Sequence, residues 1–183
     1  MPQGRSEIRE YVESFAVAIV LALFVIFFVA QSFLVQGVSM EPTLHDGERL
    51  LVDKVTYRLR EPKRGEIVVF GYPKEPRRKF IKRIVGLPGD IVEIRDRTLY
   101  VNGEPVEEAY IRGPMYQPFG PVRVPEGTYF VLGDNRNNSE DSRFPDVGPI
   151  PRRYIVGRAL FVYWPIGKAG LIRIPESIAR LNG

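Results

Sequence analysis

Residues 66–103 read Glu66-Ile-Val-Val-Phe-Gly-Tyr72, Pro73-Lys-Glu-Pro-Arg-Arg-Lys79, Phe80-Ile-Lys-Arg-Ile-Val85, Gly86-Leu-Pro-Gly89, Asp90-Ile-Val-Glu-Ile-Arg95, Asp96-Arg97, Thr98-Leu-Tyr-Val101 and Asn102-Gly103. Short runs rich in β-branched and aromatic residues alternate here with turn-forming punctuation, which is the signature of strands. Gly86–Gly89 is a turn sequence. Asn102-Gly103 is a two-residue hairpin signal, because a type I′ turn needs positive φ at both central positions.

The same texture continues outward in both directions. Upstream, Arg49-Leu-Leu-Val-Asp-Lys54 is a short apolar run with charged ends. Downstream, Thr128-Tyr-Phe-Val-Leu132 and Ile155-Val-Gly-Arg-Ala-Leu-Phe-Val-Tyr163 read as strands. The 16 prolines and 17 glycines fall mostly between these runs. After Gly37 no long helical period appears, apart from a short turn at Glu176–Leu181. The reading is a mainly β chain: an antiparallel, sandwich-like or barrel-like domain over residues 36–183. Residues about 104–127, rich in proline, are expected to form a small inserted excursion at its periphery.

The first 35 residues differ. Phe15–Ala30 is uncharged and apolar on every face, and the run continues to Val35 with only Gln31 and Ser32 interrupting it. As a helix, 21 residues span about 31 Å, the thickness of a bilayer's hydrocarbon core. Residues 1–35 are therefore expected to be a short tail and a transmembrane helix. A removable signal peptide is the rival, since Ala30-Gln31-Ser32 has the small-x-small form of a cleavage site. Against it, three glutamates precede the run, and the run exceeds the usual length of such signals. Arg5 and Arg9 before the segment are matched by Arg49 and Lys54 after it, so the positive-inside count gives no orientation.

Composition narrows the chemistry. The 183 residues contain no cysteine and one histidine, His45. A disulfide framework, a thiol nucleophile and thiolate metal sites are excluded, and zinc has few available ligands. No cofactor or metal is expected. The net charge is +4. Its densest basic stretch, Lys74–Lys79, suits anionic lipid headgroups or is simply a solvated loop. No nucleic-acid-binding motif accompanies it.

Acid–base work must then use His45, a carboxylate, a lysine or a tyrosine. Ser39 is a candidate nucleophile, in a loop before a proline and within about 15 Å of an apolar segment ending at Val35. His45 lies six residues on in the same segment and is poorly placed to serve it. Lys82 qualifies as a base if burial lowers its pKa by about three units toward 7–8. Strand alternation puts Lys82 on the face of Phe80 and Ile84, and Arg83 on that of Ile81 and Val85. One of the two shares the core side; the other is exposed, its stem lying along the surface. The third element is the polar stretch Gly133–Arg143. There Asp141 and Arg143 are able to pair, and Ser139 and Ser142 offer hydroxyls.

Four blocks, Gly37-Val-Ser-Met-Glu-Pro-Thr-Leu44, Arg64-Gly-Glu-Ile-Val-Val-Phe70, Lys82-Arg-Ile-Val-Gly-Leu-Pro-Gly-Asp90 and Gly133-Asp-Asn-Arg-Asn-Asn-Ser-Glu-Asp-Ser-Arg143, resemble in order the sequence blocks of bacterial type I signal peptidases. The resemblance implies a single-pass, membrane-anchored β-fold serine endopeptidase on the outer face of the cytoplasmic membrane. Its partners would be membrane lipid and secreted preproteins with small residues at −1 and −3. By position, Ser39 matches the nucleophile and the Ser39 backbone N–H an oxyanion donor. Lys82 matches the general base, Ser139 a serine that hydrogen-bonds the lysine, and Asp141 and Arg143 a supporting ion pair. The chain departs from the family pattern at Asn137, often Asp, and at Gly37, where some relatives carry a serine.

Overall fold

The computed structural model describes residues 4–24 and 30–182. Among them, helix α1 (Gly4–Phe24) precedes twelve strands: β1 (Ala30–Leu34), β2 (Arg49–Asp53), β3 (Ile67–Tyr72), β4 (Glu75–Gly86), β5 (Ile91–Arg95), β6 (Thr98–Val101), β7 (Glu104–Pro105), β8 (Phe119–Arg123), β9 (Thr128–Leu132), β10 (Ile150–Pro151), β11 (Ile155–Trp164) and β12 (Gly170–Leu171). Two four-residue helices, α2 (Thr56–Leu59) and α3 (Glu176–Ala179), complete the set with a few 3₁₀ turns.

The strands form two antiparallel sheets. The larger has the order β1-β2-β11-β3-β4-β9-β10, with β12 also on β11; the smaller has the order β7-β6-β5-β8. At the centre, β3 is buried at every position. Ile67 and Val69 enter one apolar cluster with Met40, Leu44 and Leu50, while Val68, Phe70 and Tyr72 enter another with Ile84 and Val131. A strand covered on both faces has no reason to alternate, which accounts for the unbroken run Ile67–Phe70. A third cluster joins Val92, Ile94 and Leu99 of the smaller sheet to Phe130 and Leu132 of β9.

The hairpin at Asn102-Gly103 forms as expected, with φ of 54° and 83° and Val101 opposite Glu104. The residues expected to form a peripheral excursion, 104–127, supply β7 and β8 to the smaller sheet. They also bury Val106, Met115 and Val124 in its core. These residues therefore lie off the larger sheet and build part of the smaller one.

The helix expected to run to Val35 requires a correction. Within Phe15–Val35, helix is present to Phe24, and residues 25–29 lie outside the described residues. Ala30–Leu34 is a strand, paired antiparallel with Asp53–Arg49. Gln31 and Ser32 are the physical reason: both are exposed on this edge strand, and Ser32 Oγ bonds the Tyr163 hydroxyl at 2.6 Å. Among the described residues, no helix is long and apolar enough to cross a membrane.

Candidate active site

Three parts of the chain meet at one cleft, and the sheet topology explains why. Strand β4 runs from solvent into the core: Glu75–Lys79 are exposed and Lys82–Gly86 are buried. It pairs with β3 along most of its length, but with β9 only from Arg83 to Gly86. Beyond Leu132, opposite Arg83, the chain leaves β9 at Gly133 and curls into the loop 133–143. Lys82 therefore stands where β4 enters the core and where its second edge opens.

Ser39 reaches this point on the loop between β1 and β2. The loop is closed at its base by Val35 and Glu48: Val35 N–H donates to Glu48 O at 2.8 Å, and Gly47 N–H to Val35 O at 3.0 Å. Met40 and Leu44, almost fully buried, pin it to the core. Gly37 N–H donates to Asp46 at 2.7 Å. Asn135 locks the two loops together: its N–H donates to Ser39 O at 3.0 Å and its side-chain amide to Val38 O at 3.1 Å. Gly133 permits this close approach, because a Cβ there would stand 2.5 Å from Ser39 O. The Ser39 carbonyl is thus engaged, while its N–H donates to no group among the described residues.

Lys82 Nζ lies 2.7 Å from Ser39 Oγ and 3.1 Å from the Ile81 carbonyl oxygen. Its side chain is buried, and burial pulls its pKa down to about 8. Asp141, Glu140 and Asp134 oppose that shift, and Arg78 adds to it. At pH 7 about a tenth of such a group is the neutral amine. As the ammonium it donates to Ser39 Oγ; as the amine it accepts the hydroxyl proton. The cleft encloses about 250 Å³, with Leu34, Val35, Met40, Phe80 and Ile81 among its walls.

The sequence posed a choice between Lys82 and Arg83 for the core side, and that choice is corrected here. Both are buried, because β4, like β3, is covered on both faces. Arg83 pairs with Asp134 through two hydrogen bonds at 2.9 and 2.6 Å, and donates to Gly65 O at 2.8 Å. A buried charge of this kind needs such partners. Asp141 and Arg143 do pair, at 2.8 and 2.9 Å, and Asp141 also accepts Gly133 N–H at 3.0 Å.

Ser139 differs from the expected hydrogen bond to the lysine. Its hydroxyl packs over Gly133 and, among the described residues, has no partner, while the hydrogen bonds of Lys82 go to Ser39 and Ile81. Asn137 donates to Pro114 O at 2.8 Å and accepts Tyr116 N–H at 3.2 Å, tying the 104–127 stretch to the site loop. The aspartate carboxylate often found here could not make the first of these bonds, having no proton to donate. His45 stands beside Glu48, 3.4 Å away, and does not line the cleft. The sequence reading weighed Arg83 only as the alternative to Lys82 on the core side, and gave no role to Asn135 or Asp134. Only their position inside the polar blocks hinted at them. Among the described residues, no cluster of side chains could hold a metal ion.

The family model described as "Signal peptidase, peptidase S26" matches residues 8–164. A probable signal peptidase I-2 of Synechocystis sp. is 46% identical over 85% of this chain and 72% of its own. A signal peptidase I of Leptolyngbya laminosa is 40% identical over 96% of this chain and 89% of its own, and one of Bacillus licheniformis 42% identical over 90% and 92%. The crystal structure of a signal peptidase I from Enterococcus faecalis V583 covers 54% of this chain and 97% of that one, at 36% identity and a TM-score of 0.47. The family match spans the N-terminal helix, the Ser39 loop, Lys82 and the loop 133–143, and on that match the chain belongs to the signal peptidase family, peptidase S26.

Proposed function

We propose that this chain is a membrane-bound serine endopeptidase that removes N-terminal signal peptides from secreted preproteins. The observation that carries this reading is the 2.7 Å contact between Ser39 Oγ and a buried lysine. Neutral Lys82 takes the Ser39 proton as Oγ attacks the scissile carbonyl carbon. The carbonyl π electrons move to oxygen, and the Ser39 N–H is assigned to hold that oxyanion; one such donor is worth about 3–4 kcal/mol. The tetrahedral intermediate collapses, the C–N bond breaks, and the Lys82 ammonium returns its proton to the leaving amine. Water, deprotonated by the same amine, then attacks the acyl carbon; the second tetrahedral intermediate collapses, the C–Oγ bond breaks, and the Lys82 ammonium returns its proton to Ser39 Oγ.

Ser139 is assigned to orienting the Lys82 amine during turnover, since its buried hydroxyl has no other partner among the described residues. Asp141 and Arg143 hold the loop through Gly133. The open edge of β4 beside Lys82 suits an extended peptide, whose backbone pairs as an added strand. The cleft's modest volume suits small side chains at −1 and −3. We place the chain in the cytoplasmic membrane as a single-pass protein, its β domain on the extracytoplasmic face. The apolar run from Phe15 supports this, for Phe15, Val17, Val20 and Leu21 are exposed on α1 and need an apolar environment.

The test is cleavage of a purified preprotein in lipid vesicles. Ser39→Ala and Lys82→Met should each lower kcat by at least about a thousandfold while the fold persists by circular dichroism. Substantial activity in Lys82→Met would sink the lysine as base.

A further inference from the structure

Two cations share one aromatic ring at the mouth of the cleft. The Arg78 guanidinium lies 4.9 Å from the Phe80 ring centroid, and Lys82 Nζ lies 5.3 Å from the same centroid. The three residues follow at i, i+2 and i+4 along β4, so they project to one side of the strand. Arg78 also lies 5.7 Å from the Tyr72 ring, which stacks on Phe80 with centroids 5.0 Å apart. Arg78 is exposed but stacked, and both it and Lys82 line the cleft. Their charges are at most about 10 Å apart, within about one Debye length at physiological salt.

The other charges at the cleft are Lys79, whose Nζ donates to Pro76 O at 2.6 Å, and those of the loop 133–143. Asp134 and Asp141 are each held by a two-bonded arginine, Arg83 and Arg143. Asp141 is the largest of the opposing charges; Glu140, next after it, is the one of the three that lines the cleft together with Arg78 and Lys82. We propose that Arg78 and Glu140 are opposed positioning residues that set how much of Lys82 is the neutral amine. Arg78 stacks on the same Phe80 ring as the amine and presents it with a permanent positive charge. Glu140 presents a negative one. The inference rests on Lys82 being the catalytic base.

The sign makes it testable. Activity rises with pH as Lys82 loses its proton. Removing a nearby cation should move that rise to higher pH; removing the anion should move it to lower pH. For charges about 10 Å apart at a partly wet surface the displacement is about 0.3–0.6 pH unit. The experiment measures kcat/KM against pH from 6 to 10 on a preprotein in neutral-lipid vesicles, at low and high salt. Arg78→Gln should shift the rise upward, costing about two- to fourfold near pH 7 and little at pH 9.5. Arg78→Lys should keep the wild-type profile, and Glu140→Gln should shift it downward. Both displacements should shrink in high salt. Arg77→Gln, an exposed control outside the cleft, should leave the profile unchanged. A uniform loss at every pH, or shifts of the same sign for Arg78→Gln and Glu140→Gln, overturns the proposal. A wild-type profile with no alkaline rise overturns the lysine-base reading itself, and this inference with it.

Discussion

Burying an ammonium-forming side chain beside a serine has a cost to folding. Lys82 has a pKa of about 8 in the folded protein against about 10.5 for the free side chain. Between those values the unfolded chain binds more protons than the folded one, so stability rises with pH across that window. Below pH 8 the penalty is complete, about 3 kcal/mol; above about 10.5 it disappears. Lys82→Met, inactive in cleavage, should therefore be more stable than wild type near pH 7. Its advantage should dwindle as pH approaches 10, measured by urea unfolding at a series of pH values. A constant difference at all pH values would contradict the depressed lysine pKa.

The candidate residues themselves were legible, but not by the same route. Spacing alone placed Lys82 with Phe80 and Ile84, and the pairing of Phe80 with Phe70 and Lys82 with Val68 follows that alternation. Spacing did not place Arg83, because a one-sided sheet was assumed and β4 is covered on both sides. Ser39, Ser139, Asp141 and Arg143 stood out through resemblance. No local pattern identifies Asn135 as the residue that ties Ser39 to the 133–143 loop, since that role exists only once two segments about a hundred residues apart meet.

Among the elements, the loop–loop junction is where the active geometry is most exposed to damage. Gly133 lies in the seam between the Ser39 loop and the 133–143 loop. A Cβ there would stand 2.2 Å from Ser139 Oγ and 2.5 Å from Ser39 O. The first contact could be relieved by rotating a hydroxyl; the second is backbone and cannot. Gly133→Ala should part the loops, weaken the Asn135–Ser39 bond and displace Oγ from Lys82. Cleavage should fall about a hundredfold, with a stability loss of about 1–3 kcal/mol. The check is kcat/KM beside a denaturation curve; an unchanged rate would mean that the seam does not set the nucleophile's position.

Elements also show what sequence reading resolves. Asn102-Gly103 announced its hairpin because those residue types favour positive φ. Asp96-Arg97 makes the same two-residue connection between β5 and β6, with φ of 49° and 63°, yet carries no glycine to advertise it. The smaller sheet was hidden for a related reason: β7 and β8 are short, proline-bearing and separated by 13 residues of irregular chain. Strand β1 was concealed by its apolar surroundings, since phenylalanine and leucine at a sheet edge look like more of the preceding run.

At the scale of the molecule, β1 does two jobs. It is the outermost strand of the larger sheet, and its last residue, Leu34, with Val35 after it, walls the cleft. Five residues of strand span about 17 Å. From Ala30 onward the chain reaches the cleft as a strut hydrogen-bonded along its length to β2.

That strut decides where the protein can be cut. A shortened protein beginning at Ala30 keeps the five pairs from Ala30–Asp53 to Leu34–Arg49. One beginning at Gln36, the boundary suggested by hydropathy, loses them and bares β2, with Leu50 and Val52 behind it, as a naked sheet edge. Such edges recruit other chains. The longer version should elute as a discrete species and cleave a soluble peptide, whereas the shorter should aggregate and be inactive. Size-exclusion chromatography with a peptide assay decides between them, and a well-behaved, active 36–183 fragment would show that the strut is dispensable. Six residues that look like the tail of a greasy helix are, on this view, the difference between a crystallisable enzyme and a precipitate.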